Sequence, residues 1–91
     1  MRLLRSGRSD RILKKLDPVI RREVQAALVR FLTDSGARGL NFEKLRGYDD
    51  LYSIRVNRNF RIILRRTEVD DTFEIRTIGP HDIYRQLGGD D

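Results

Sequence analysis

The spacing of apolar residues along the chain switches from helical to strand-like near residue 50, and with it the kind of element the sequence predicts. Between Pro18 and Asp34, the residues Ile20, Val24, Ala27, Leu28 and Phe31 fall at i, i+4, i+7, i+8 and i+11, the stripe of an amphipathic helix. Arg21, Arg22, Gln25 and Arg30 take its other face, which is expected to stay wet, and Gly36 is expected to end it. Asp17-Pro18 starts this helix, because aspartate accepts from a free N–H of the first turn and proline lacks a donor that would go unpaired there. The same dipeptide breaks a shorter helix before it, with Ser9 as its N-cap and Ile12, Leu13 and Leu16 on one face. Residues 2 to 5, Arg-Leu-Leu-Arg, suit a short first strand.

Past residue 50 the period is two. From Leu51 to Val56, Tyr52, Ile54 and Val56 point one way and Ser53 and Arg55 the other. Phe60 to Arg66 repeats the pattern, with Phe60, Ile62 and Leu64 apolar and Arg61, Ile63 and Arg65 opposite; Thr72 to Ile78 sets Phe73, Ile75 and Thr77 against Glu74 and Arg76. Asn57-Arg58-Asn59 and Val69-Asp70-Asp71 supply the turns. Gly79 to Leu87 reads as a break and one helical turn. The fold class expected is α+β: one domain over residues 1–91, an N-terminal helix hairpin packed on a small antiparallel sheet, in the order β-α-α-β-β-β.

Pairing must keep both apolar sets on one face, and this fixes the register. A three-residue turn at 57–59 sets Val56 against Phe60, Ile54 against Ile62 and Tyr52 against Leu64, which brings Arg55 opposite Arg61 on the other face. A four-residue turn at 67–70 then sets Leu64 against Phe73 and Arg61 against Arg76. Like charges side by side on a sheet are unfavourable. Either the row of arginines holds an anion, or its long side chains splay into solvent or pair with acids.

The 91 residues, 38% hydrophobic and 36% charged, have a globular composition with room for one small core. Without cysteine, disulfides, thiolate metal sites and cysteine nucleophiles are excluded, and the single histidine, His81, excludes a His-rich metal site. No signal-like run or 18-residue apolar stretch occurs, so a soluble cytoplasmic protein with no membrane contact is expected. The net charge is +5, and all the bases except Lys14, Lys15 and Lys44 are arginine, whose planar fork matches phosphate oxygens. Residues 1–30 and 52–66 are strongly basic whereas residues 67–91 are acidic, a layout that favours an anionic partner on one side.

His81 beside Asp82 reads either as a hydrogen-bonded surface residue or as a proton-transfer group next to Arg61 and Arg76. Tyr84 either stacks on a ligand or joins the core. Ser53 with His81 and Asp82 does not make a triad, since adjacent His and Asp orient one another poorly. Glu74 is nearly alone among the strands as an acid, and Gly36-Ala37-Arg38-Gly39 lacks the strand and Lys-Ser/Thr of a phosphate loop. Chemistry without metal or cofactor, or plain binding, is expected.

Three stretches carry a resemblance. Lys14-Lys15-Leu16-Asp17-Pro18 with Arg21 and Arg22, Lys44-Leu45-Arg46-Gly47 running into Leu51-Tyr52-Ser53-Ile54-Arg55-Val56, and Phe60-Arg61-Ile62-Ile63 followed by Ile78-Gly79-Pro80-His81-Asp82-Ile83-Tyr84-Arg85 together resemble the RelE/ParE superfamily of type II toxins. In its RelE branch, toxins enter the ribosomal A site and cut mRNA without metal, the 2′-hydroxyl attacking the adjacent phosphate. The resemblance implies a strand base at Arg55, a transition-state arginine at Arg61, a basic or acid–base group at His81 and a nucleotide contact at Tyr84. Arg58, Arg65, Arg76 and Arg85 are expected on the RNA, Arg76 on the register argument alone. Ser53 stands where some RelE-like toxins have a second lysine, so the general base would fall to His81 or an arginine. The implied partners are a cognate antitoxin, in a hetero-oligomer, and the ribosome with its mRNA. The alternatives are a ParE-type inhibitor of DNA gyrase and a member that only binds antitoxin.

Overall fold

Both helices form where the apolar stripes predict them, but apart from the start of α2 their ends are set by side chains that sequence spacing does not single out. A computed structural model describes residues 1–83, 85 and 87. The elements are β1 (Arg2–Leu4), α1 (Gly7–Lys14), α2 (Pro18–Thr33), β2 (Glu43–Lys44), β3 (Leu51–Arg55), β4 (Phe60–Arg66) and β5 (Thr72–Pro80). The N-cap of α1 is Ser6, not Ser9: the Ser6 hydroxyl accepts from the Ser9 N–H at 3.2 Å while the Ser9 hydroxyl accepts from the Ser6 N–H at 3.1 Å. This reciprocal box satisfies two donors at once and so starts the helix earlier. Asp17 caps α2 as expected, accepting from the Val19 N–H at 2.9 Å.

Two further expectations are corrected at the helix ends. Helix α2 stops through Asp34, whose φ of −157° leaves the helix and whose carboxylate accepts the Gly36 N–H at 3.2 Å. Among the described residues the glycines in left-handed backbone are Gly39 and Gly47, in the loops on either side of β2. Arg21 does not stay wet. It donates to the carbonyls of Leu13, Lys14 and Leu16 at 2.8–3.0 Å, closing the C-terminal end of α1, where unpaired carbonyls and the helix dipole both favour a cation.

The sheet has five strands in the order β1-β5-β4-β3-β2, and the helix hairpin on a sheet is borne out. It is mixed rather than antiparallel throughout, because β1 runs parallel to β5, with Leu3 against Phe73. Strand β2 adds an outer edge, Glu43 against Ser53 and Lys44 against Tyr52. Register between β3 and β4 is as expected: Tyr52 faces Leu64, Ile54 faces Ile62 and Arg55 faces Arg61.

Between β4 and β5 the register departs from expectation. Leu64 pairs with Ile75, not Phe73, and Arg61 pairs with Gly79, not Arg76. The hairpin turn lies one residue later than expected, since the Thr67 N–H donates to the Thr72 carbonyl at 2.9 Å and Asp71 adopts a φ of 60°. Next, a bulge opposite Ile63 and Leu64 leaves Arg76 unmatched in the ladder, so that Ile75 and Ile78 both turn to the helices and Thr77 turns away. A strict alternation would put Ile75 and Ile78 on opposite faces. The third arginine of the expected row is therefore absent from it.

Helices cover one face. Val24, Phe31, Leu40, Ile54, Ile62 and Leu64 are fully buried there, and Phe31 meets the edges of Phe42 and Phe73 at 5.0 and 5.5 Å. On the other face Ile63, expected among the polar residues, is buried in a second cluster with Leu51, Ile83 and Leu87. The segment after β5 thus folds back over the sheet. Among the described residues no helix is long and apolar enough to cross a membrane.

Candidate functional site

The site lies on the sheet face opposite the helices, at the end where β3 turns into β4. The N–H of Val56 bonds Phe60 across the turn while that of Arg55 points outward to Leu40, so Arg55 and Arg61 form a pair without ladder bonds between them. Such pairs bring their Cα atoms to about 4.5 Å, the closer of the two antiparallel spacings. Burial, and then the adjacent Arg55 charge, pull the Arg61 guanidinium below its ordinary pKa, with Glu43 opposing them. A cation held under this strain favours any anion that reaches it.

Arg61 is partly buried and tethered. Its Nη1 donates to the carbonyls of Asn57 and Phe60, each at 3.3 Å, and among the described residues Nε and Nη2 have no protein acceptor. Beside it opens a cleft of about 220 Å³, lined by Glu43, Leu45, Ser53, Arg61, Ile63 and His81. Four segments build it: β2 and its continuation, β3, β4 and the turn after β5. Glu43 enters because β2 pairs with β3 in the register that sets it against Ser53. His81 enters because the chain turns directly after Pro80, and the turn is pinned from below. A Cβ on Gly79 would lie 2.6 Å from Ile83 Cδ1 and 2.9 Å from Cγ1, so only glycine lets Ile83 sit on the strand.

The cleft therefore holds a carboxylate, an exposed imidazole and a guanidinium, with a second guanidinium across the strand pair. That set can take a proton, give one and stabilise developing negative charge. Among the described residues no three His, Cys, Asp or Glu side chains gather to hold a metal ion.

Of the residues singled out from sequence, the structure brings Arg61 and His81 to one cleft with Arg55 beside them. Arg58 is exposed at the tip of the β3–β4 turn, and Arg85 is exposed on the final segment. Arg76, partly buried, sits at the bulge away from the Arg55–Arg61 pair. Arg65 is engaged elsewhere, its guanidinium donating to Glu74 at 2.6 and 2.7 Å. Tyr84 lies outside the described residues. Sequence reasoning missed Glu43. The sequence carries no signal for it, since Phe42-Glu43-Lys44-Leu45 does not alternate and holds no β-branched residue to announce a strand.

No protein-family model matches the chain, and no curated protein matches its sequence. Solved structures match its fold. A double mutant of the E. coli toxin RelE in the free state superposes with a TM-score of 0.67 at 19% identity, over 98% of this chain and 95% of that one. RelE in the RelB–RelE antitoxin–toxin complex from Methanococcus jannaschii gives 0.66 at 18% identity, over 96% and 98%. A YoeB/ParE toxin from Agrobacterium tumefaciens gives 0.63 at 18% identity, over 89% and 99%. The fold is that of the RelE/ParE toxins, as the sequence resemblance implies.

Proposed function

We propose that the chain is the toxin of a type II toxin–antitoxin pair and an endonuclease that cuts mRNA on the ribosome, acting in the cytoplasm as a single domain. The observation that carries this reading is the convergence of Glu43, Arg61 and His81 on one cleft, with Arg55 facing Arg61. A gyrase-binding surface has no need of a nucleotide-sized pocket that pairs proton-transfer groups with guanidinium groups.

In the proposed reaction the RNA 2′-oxygen attacks the adjacent phosphorus and the bond from phosphorus to the 5′-oxygen breaks. The Glu43 carboxylate takes the proton of the 2′-hydroxyl, and protonated His81 gives one to the leaving 5′-oxygen. The products are a 2′,3′-cyclic phosphate and a 5′-hydroxyl. Negative charge grows on the phosphoryl oxygens, and Arg61, already short of acceptors, stabilises it more in the transition state than in the ground state, with Arg55 adding to the field. Glu43 thus fills the place of the general base that the sequence leaves to His81 or an arginine. Tyr84 stacks on the nucleotide in this reading, on the strength of the resemblance, and the basic surface of Arg58 and Arg85 holds RNA with an affinity that falls with salt. Solved RelE proteins occur in complexes with RelB, and we extend the same kind of partner, an antitoxin, to this chain.

Primer extension on a defined mRNA in a reconstituted translation reaction, with ribosomes present or omitted, tests the reading. New 5′ ends that require ribosomes are expected, and Glu43→Gln should lower their rate by about 10²- to 10⁴-fold. Intact mRNA together with inhibited supercoiling by DNA gyrase overturns it.

A further inference from the structure

Arg61 has two anchors, and one of them is a residue with a wider role. Asn57, the first residue of the β3–β4 turn, engages both polar atoms of its side chain and its main-chain carbonyl. Its side-chain oxygen accepts the N–H groups of Asn59 and Phe60 at 2.8 and 2.9 Å, which fixes the turn. Its side-chain amide donates to the Glu23 carboxylate of α2 at 3.1 Å, across 34 residues of sequence. Its main-chain carbonyl accepts Arg61 Nη1 at 3.3 Å.

The turn is otherwise weakly held. Arg58 and Asn59 are exposed, and the next cross-strand bond is that of Val56 to Phe60 at 3.0 Å. Without the Glu23 contact, the carbonyl that restrains Arg61 would ride on a turn that, among the described residues, has no other hydrogen bond to the helix layer. A guanidinium repelled by Arg55 would then swing toward solvent, since burial already disfavours its place in the cleft. Misplacing a charge-stabilising group by about 1 Å is enough to cost on the order of 100-fold in rate.

We propose that Asn57 is a positioning residue for Arg61: it ties the β3–β4 turn to α2 through Glu23 and, from that fixed point, holds the guanidinium at the mouth of the cleft. The role in catalysis rests on the endonuclease reading above. Asn57 itself touches no RNA in this scheme; it acts through Arg61.

The test is a double-mutant cycle on ribosome-dependent cleavage, with folding of each variant checked by circular dichroism. Asn57→Ala should lower kcat by about 10- to 100-fold and leave KM within about twofold, because Arg61 acts on the transition state. In the Arg61→Ala background the same substitution should change kcat by less than about threefold. Asn57→Asp should lower kcat by about tenfold, as its second oxygen then faces the Glu23 carboxylate. The double variant Asn57→Asp/Glu23→Gln, in which amide and carboxylate exchange sides, should recover most of that loss, and it tests the contact even if Asn57→Ala does not fold. Equal losses with and without Arg61, or no recovery in the exchanged pair, overturn the proposal. If the wild-type chain cuts nothing, the endonuclease reading fails separately. The anchoring is then read by ¹⁵N NMR of the arginine guanidinium groups, where rotation of the Arg61 group should be slow in the wild type and fast in Asn57→Ala; equal rotation overturns it.

Discussion

The two faces of the sheet are made of alternate residues of the same strands, yet one is covered by the helices and the other stays half open. On the helix side, α1 and α2 bring enough apolar area to bury Ile54, Ile62, Leu64, Phe73 and Ile75. On the far side the segment carrying Ile83 and Leu87, joined by Leu45 and Tyr48 from the chain between β2 and β3, covers Ile63 and Leu51. What remains open is the end of β3 and β4 with Arg55 and Arg61. Stability is concentrated on one face, and the groups able to act on a ligand stand on the other, where two guanidinium groups are held together at a cost.

Substitutions on each face should separate these roles. The largest effect is expected from Phe31→Ala on the helix side, where a fully buried ring in edge contact with Phe42 and Phe73 is lost. A cost of about 3–5 kcal/mol is expected, a large share of the 5–15 typical of a whole domain, and urea unfolding would read it. A smaller loss would mean that the helix-side core is not the main source of stability.

Gly79→Ala is next. The added methyl overlaps Ile83, whose branched side chain cannot step aside freely, so about 1–3 kcal/mol is expected. This substitution joins the faces' two roles, because moving Ile83 moves the turn that carries His81. Thermal unfolding should fall and cleavage should drop further than stability alone explains.

Arg61→Ala should have the smallest and opposite effect on stability. It removes a like-charge pair worth a fraction of a kcal/mol and a group whose burial is unfavourable, at the loss of two long hydrogen bonds. The melting midpoint should hold or rise by up to about 5 °C while cleavage disappears. A clear fall in the midpoint would show that Arg61 serves the fold and that the contrast between the faces is wrong.

Much of this layout is legible in the chain itself. The stripe from Ile20 to Phe31, the Asp17-Pro18 start and the alternation of Tyr52, Ile54, Ile62 and Leu64 each follow from local geometry, and α2 and the β3–β4 register form as that geometry requires. Arg55 opposite Arg61 follows with them, because a turn of fixed length admits one register that keeps the apolar sets together. Other features depend on partners in a different element. Arg21 reads as a solvated helix residue until the end of α1 lies against it, and Ile63 reads as a stray apolar residue until Ile83 folds over it.

The sequence by itself determined the two helices, the three long strands and the pair of arginines, since period, caps and turn length act within a few residues. Tertiary structure alone decided the bulge that removes Arg76 from the row and sets Gly79 against Arg61, because that shift is driven by the need of both Ile75 and Ile78 to reach the helix-side core. It also decided the place of Glu43. Two residues of edge strand have no signature of their own, and only pairing with β3 carries that carboxylate to Arg61 and His81.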